Sequence, residues 1–369
     1  MERAIAWVLL AQKNRQNRKM RALSEEYEKK IKSVDYTSSE AMAVGEEIEK
    51  ALKAGYGFIT YMDKDYPEEL RNIAYPPPYL FLRGNRKLLS YPVKAAIVGS
   101  REATSYGMNV AANFAHELAD NNVCIVSGGA RGIDTAAIRG AMRVSTKIIV
   151  VIGTGIDKDY PPENADLFKK VSEVGGLIIS EFPLGMGPLG QNFPVRNRIM
   201  TALSDTVTIV EAAERSGALI SASHANEQGK SVFAVPGNID SPNSAGTNAL
   251  LRDGAMFALS GSDILYEMMD RIPQAFQKAK SFGEEEEEPV ENIKITEKAA
   301  PKNEDGEKNN HLSPFEQAIL NALKSGKETY EEIQEFTLME AGKLTSVLTI
   351  MEIKGIIKLA FRNKYKLND

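Results

Sequence analysis

Between residues 93 and 270, short continuous runs of aliphatic and β-branched residues recur at regular intervals, with helical patterns filling the gaps. The runs are Ala95–Val98, Val123–Val126, Lys147–Ile152, Leu177–Ser180, Thr206–Val210 and Ser231–Val235. A strand with one wet face alternates apolar and polar residues. These runs do not alternate, so both of their faces are buried. Strands of that kind separated by helices form a parallel sheet covered on each side. The first gap shows the helical spacing: Met108, Ala112, Ala115 and Ala119 follow the cap candidates Thr104 and Ser105. The pattern predicts an α/β fold, a Rossmann-like doubly wound and mostly parallel sheet, over residues 91–280.

The flanks read differently. Residues 1–90 are helical and then irregular. Tyr75-Pro76-Pro77-Pro78-Tyr79-Leu80-Phe81 cannot be helix, because successive prolines fix φ and remove donors, and it is expected as an extended strap. Residues 281–311 read as an acidic disordered linker, too poor in apolar area to offset its ordering entropy. Residues 312–369 read as a winged-helix domain. Thr329 with Glu332 and Thr337 with Glu340 have capping-box spacing, and Leu344, Val347, Leu348 and Met351 share a helix face. Two short strands follow, Ile356–Leu359 and Lys364–Leu367.

The net charge is −5, but residues 284–310 hold 4 Lys/Arg and 10 Asp/Glu, a net of −6, which leaves +1 for the rest. Any nucleic-acid site is therefore a local groove and not a broad basic face. The single cysteine, Cys124, lies in an apolar run and excludes an internal disulfide, as a reducing cytoplasm would favour. The longest early apolar run, Ala4–Ala11, is far short of a membrane span, and the basic cluster follows it where a signal peptide would place it first.

In an open parallel sheet, ligands bind at the carboxyl ends of the strands. The segments there are Gly99-Ser100-Arg101, then Ser127-Gly128-Gly129-Ala130-Arg131, then Gly153-Thr154-Gly155, then Ser216-Gly217. Glycines that let an anion approach backbone N–H groups at helix starts, with Arg101 and Arg131 nearby, predict a phosphate-sized site. The segment Phe193-Pro194-Val195-Arg196-Asn197-Arg198 adds a ring for base stacking and two arginines. The competing reading is that Phe193 is core and the arginines pair with carboxylates. No Gly-x-Gly-x-x-Gly follows the first strand, and Gly229-Lys230-Ser231 lacks a Walker A context, so no cofactor is expected. His116, His224 and His311 have no metal-ligand spacing. Glu181 and Glu211 follow strands but form no catalytic constellation, so no catalytic residue is assigned.

These blocks together resemble the DNA-processing protein A (DprA/Smf) family. The resemblance begins at Tyr66-Pro67-Glu68-Glu69-Leu70 and runs through Ile97-Val98-Gly99-Ser100-Arg101, Gly128-Gly129-Ala130-Arg131-Gly132-Ile133-Asp134, Tyr160-Pro161 and Phe193-Pro194-Val195-Arg196-Asn197-Arg198-Ile199. It closes at Val235-Pro236-Gly237 and Gly246-Thr247-Asn248. It implies an extended Rossmann fold that binds single-stranded DNA without sequence preference, a non-enzyme that works as a homodimer and loads RecA recombinase in natural transformation. Carried over by motif, the DNA pocket takes in Gly99, Ser100, Arg101, Ser127, Gly128, Gly129, Phe193, Arg196, Asn197 and Arg198. Pro162 and Gly190 stand where relatives often carry a cation. Two further readings stay open: a nucleotide-binding enzyme or sensor using the same pocket, and an interaction scaffold. An open groove with Phe193 and the arginines outside a pocket favours a strand. A closed pocket with a poised Glu181 or Glu211 favours an enzyme.

Overall fold

The computed structural model describes residues 1–12, 17–269 and 314–337, and beyond them 339, 344, 347–348, 350–352, 356–360 and 364–367. Each of the six expected runs forms a strand: β3 (Lys94–Val98), β4 (Cys124–Ser127), β5 (Ile148–Val151), β6 (Leu177–Ser180), β7 (Thr206–Ile209) and β8 (Ser231–Ala234). All pair in parallel. Their order in space is β6-β5-β4-β3-β7-β8. The chain starts in the middle at β3, moves outward to β6, and returns to lay β7 on the other side of β3. The winding therefore reverses between β3 and β7. Successive residues of one strand feed opposite cores: Ala96 and Val98 pack on one face, Ala95 and Ile97 on the other.

Three further strands widen the sheet to nine. β1 (Gly57–Thr60) and β2 (Tyr79–Gly84) join antiparallel at the β6 side, and β9 (Met256–Phe257) joins parallel at the β8 side. The expected strap is thus partly a strand. Its prolines end at Pro78, one residue before β2, so the following N–H groups are free to pair. The Pro78 carbonyl itself accepts from the Tyr61 N–H at 3.0 Å and the Trp7 indole N–H at 2.8 Å. The boundary expected at residue 90 consequently does not separate two bodies. Residues Met1–Glu287 form one compact unit, with Trp7 fully buried and stacked 5.5 Å from Tyr61.

The second unit begins at Glu288. It contains helices Pro314–Lys324 and Tyr330–Thr337 and the antiparallel hairpin β10 (Ile357–Ala360) and β11 (Lys364–Leu367). The capping box at Thr329 forms: Glu332 N–H donates to Thr329 Oγ1 at 3.3 Å, and Thr329 N–H donates to Glu332 Oε2 at 3.1 Å. Leu344, Leu348 and Met351 join Ile319, Ile333 and Ile357 in a small core. The acidic linker and Glu340 lie outside the described residues, and between residues 338 and 355 the described helical positions are 344, 347–348 and 350–352.

Candidate nucleic-acid interface

The loops that follow β3, β4 and β5 and the helix Asn192–Ala202 meet at the carboxyl edge of the sheet. Two residues stand out because they are neither core nor fully wet. Phe193 is half-buried, lying over Gly153 so closely that a Cβ there would meet its Cδ1 at 2.9 Å. The exposed Arg101 holds its guanidinium 4.7 Å above the Phe193 ring, a cation–π contact. Tyr160 is also in contact, its ring 5.7 Å from that of Phe193 and tilted by 41°. In the sequence Tyr160 stands only within the Tyr160-Pro161 motif. Its role becomes visible only when the loop after β5 folds toward the helix that starts at Asn192. Arg131, also exposed, is held by Glu163 through contacts of 2.8, 3.1 and 3.2 Å. The pairing lowers the Glu163 pKa and raises that of Arg131.

The other arginines of the segment are buried. Arg196 Nη1 donates to the Gly128 carbonyl at 2.6 Å and to the Val151 carbonyl. A side chain at Gly128 would fall on this guanidinium, with its carbon at 2.6 Å, so the seating of Arg196 requires glycine there. Burial pushes the Arg196 pKa down to about 10. The same burial pushes Asp134 up, against the pull of Arg196. Arg198 makes a two-point ion pair with buried Glu181, and donates to the Tyr75 carbonyl at 2.8 Å and the Val195 carbonyl at 2.7 Å. Asn197 reaches the Gly217 carbonyl at 3.5 Å. For Arg198, then, the reading as a carboxylate partner describes the geometry, and Arg196 is a tie between the β4 and β5 loops.

The small polar residues are likewise engaged. Ser127 donates to the Ile97 carbonyl at 2.8 Å and Thr154 to the Lys158 carbonyl at 2.7 Å, both fully inside. Ser100 is half-buried, and its Oγ accepts from the Glu102 N–H at 3.2 Å. Gly99 packs against Ile133, and Gly155 faces the Pro183 carbonyl. Gly129 and Gly132 have φ of +67° and +71°, the left-handed region that glycine adopts without strain. Ser216 caps the helix Gly217–Glu227, accepting from Ala218 N–H at 3.2 Å. Ser216 and Gly217 follow β7, across the reversal from Phe193. Pro162 opens a short turn beside Glu163, and Gly190 is exposed in open space.

Neither carboxylate after a strand is poised for chemistry. Glu181 is held by Arg198. Glu211 takes the Thr104 N–H at 2.9 Å and the Thr104 hydroxyl. Among the described residues no group of acids, histidines or cysteine gathers as a metal site, and no helix is long and apolar enough to cross a membrane.

A doubly wound sheet whose carboxyl edge presents an arginine-and-aromatic platform, braced from below by buried arginines, places the chain among the Rossmann-like α/β proteins. Over residues 57–269 the chain matches the DNA recombination-mediator protein A family, and it belongs to that family. It is 33% identical to Protein Smf of Synechocystis over 81% of this chain and 77% of the relative. It is 42% identical to the DNA processing protein DprA of Streptococcus pneumoniae over 56% of this chain and 72% of the relative. The crystal structure of the Streptococcus pneumoniae protein aligns with a TM-score of 0.57 at 36% identity, covering 65% of this chain and 81% of that one. A structure of DNA processing protein A from Helicobacter pylori, concerned with its single-stranded DNA binding mode, aligns with a TM-score of 0.52 at 33% identity, covering 58% and 96%.

Proposed function

We propose that this chain binds single-stranded DNA without sequence preference at the carboxyl edge of its sheet. The observation that carries the reading is the Arg101 guanidinium poised 4.7 Å over the half-buried ring of Phe193. A cation beside an accessible aromatic is what a strand requires: phosphate on one, base on the other. Each base has a π-face, so such a site tolerates any sequence. The remaining loop residues, Gly99, Ser100, Ser127, Gly128, Gly129, Gly153, Thr154, Gly155, Arg196, Asn197, Arg198, Ser216 and Gly217, set the loop shapes, and Arg131 gives a second phosphate contact once it leaves Glu163. The work is binding and not catalysis, because Glu181 and Glu211 are both committed to structural partners. From the family we carry over assembly as a homodimer through the Rossmann-like domain, protection of incoming strands and loading of RecA recombinase. The acidic linker and a winged helix at the C-terminus complete the organisation.

The test is binding of a fluorescent oligonucleotide at two salt concentrations, with duplex as control. Arg101→Ala should lower affinity equally for all sequences and reduce the salt slope by about 1. Phe193→Ala should cost about 1–3 kcal/mol with an unchanged slope. Arg101→Ala binding with the slope and affinity of the unmodified protein would sink the assignment.

A further inference from the structure

A second concavity lies at the same sheet edge, beyond the Arg101 loop. It is a cavity of about 480 Å³, open to solvent, lined by Thr104, Tyr106, Glu211, Pro236, Gly237, Asn238, Ser241 and Ser244. These residues come from the ends of β3, β7 and β8, so the cavity occupies the place where the sheet reverses its winding, and ligands of doubly wound sheets bind at such crevices. The Phe193 platform lies to one side of it, over β4 and β5. The volume falls in the roughly 300–1,000 Å³ range of small-molecule sites.

The lining says which chemistry fits. It holds no lysine, arginine or histidine, so a phosphate would find no counter-charge. Its one acid, Glu211, has its oxygens on Thr104. What remains is a flat aromatic, Tyr106, 53% exposed and anchored by its hydroxyl to the Pro236 carbonyl at 3.3 Å. Beside it are the exposed Asn238 and the half-buried Ser241, which can bond the edge of a planar heterocycle. Arg101 lies three residues before Thr104 on the same loop, its guanidinium over Phe193. That loop is pinned across the cavity by Asn243, whose Nδ2 donates to the Glu102 carbonyl at 2.8 Å.

The geometry points to a nucleobase site in this cavity, with the base stacked on Tyr106 and its phosphate outside, toward Arg101. The argument rests on the single-strand reading for its source: a base of the same strand that crosses Phe193. From β5 to β8 is four strand spacings, about 19 Å, within reach of a strand covering ~4–16 nucleotides. A free nucleoside has the same base and no phosphate, and the cavity chemistry admits it equally.

The experiment uses the full chain with Tyr106→Ala and Tyr106→Phe, oligo(dT) of increasing length, and thymidine. For a base of the strand, Tyr106→Ala weakens long oligo(dT) about 10-fold, leaves the shortest bound oligomer unchanged, and is rescued by Tyr106→Phe. Phe193→Ala weakens every length. Photocrosslinking of 5-iodouracil-substituted oligo(dT) then labels the peptide holding Tyr106 as well as that holding Phe193. If Tyr106→Ala abolishes thymidine binding and leaves every oligomer untouched, the base site stands with the nucleoside as its source. Thymidine binding by a chain that binds no oligomer would keep the site and overturn the strand reading. Oligomer affinity, crosslinking at Tyr106 and thymidine binding all unaffected by Tyr106→Ala would overturn the site itself.

Discussion

At the scale of single residues, exposure separates arginines that look alike in the sequence. Arg101 and Arg131 face solvent, whereas Arg196 and Arg198 are 4% and 9% exposed. The Arg198–Glu181 pair is out of water, and removing one partner leaves an uncompensated buried charge. Arg198→Ala should therefore lower unfolding free energy by about 3–5 kcal/mol, as measured by urea titration. Arg101→Ala should leave that stability within about 0.5 kcal/mol, as surface changes do. A loss of DNA affinity by both variants with equal stability would contradict this division. Cys124 makes a second residue-scale case. Burial pushes its thiol pKa up to about 12, so it stays protonated through neutral pH. Iodoacetamide should fail to modify the native protein at pH 8 and should react once denaturant is added. Mass spectrometry reads the difference. The sequence exposed the core character of Cys124 through its apolar neighbours. It gave no sign of which arginine would find Glu181, because the two are 17 residues apart and meet only across the sheet edge.

At the scale of elements, the six central strands were legible because burial on both faces writes a continuous apolar run. β1, β2 and β9 were not. Phe58 and Ile59 sit in a four-residue strand beside glycine, β2 begins one residue after three prolines, and β9 exposes both of its residues. Pairing made these segments strands, and pairing is a tertiary event. Contacts between helices carry their own requirement. The helix Ile133–Ala141 packs against Ser105–Asp120 at Gly140, where a Cβ would lie 2.6 Å from the Ala112 Cα. Gly140→Ala gains about 1 kcal/mol of helix propensity, but forcing two backbones apart costs about 1–3 kcal/mol. The net change should be a lower melting temperature. A rise in melting temperature would show that the helices separate freely.

At the scale of the molecule, Met1–Glu287 has its own two-faced core and holds every proposed DNA contact. A chain ending at residue 287 should fold and bind single-stranded DNA within about 3-fold of the full chain, a difference of under 1 kcal/mol. A larger loss would assign part of the DNA site to the second unit. By itself the sequence determined the doubly wound sheet and its six central strands, since burial and βα alternation are local patterns. It also named Phe193 and Arg101, which the fold brings into contact. Only the tertiary structure decided that N-terminal strands extend the same sheet, that Arg196 and Arg198 brace loops from within, and that Tyr160 stands beside Phe193. The physical reason is the same in each case. Whether a polar or aromatic side chain faces water or a partner depends on which distant segment is packed against it, and one-dimensional spacing carries no record of that.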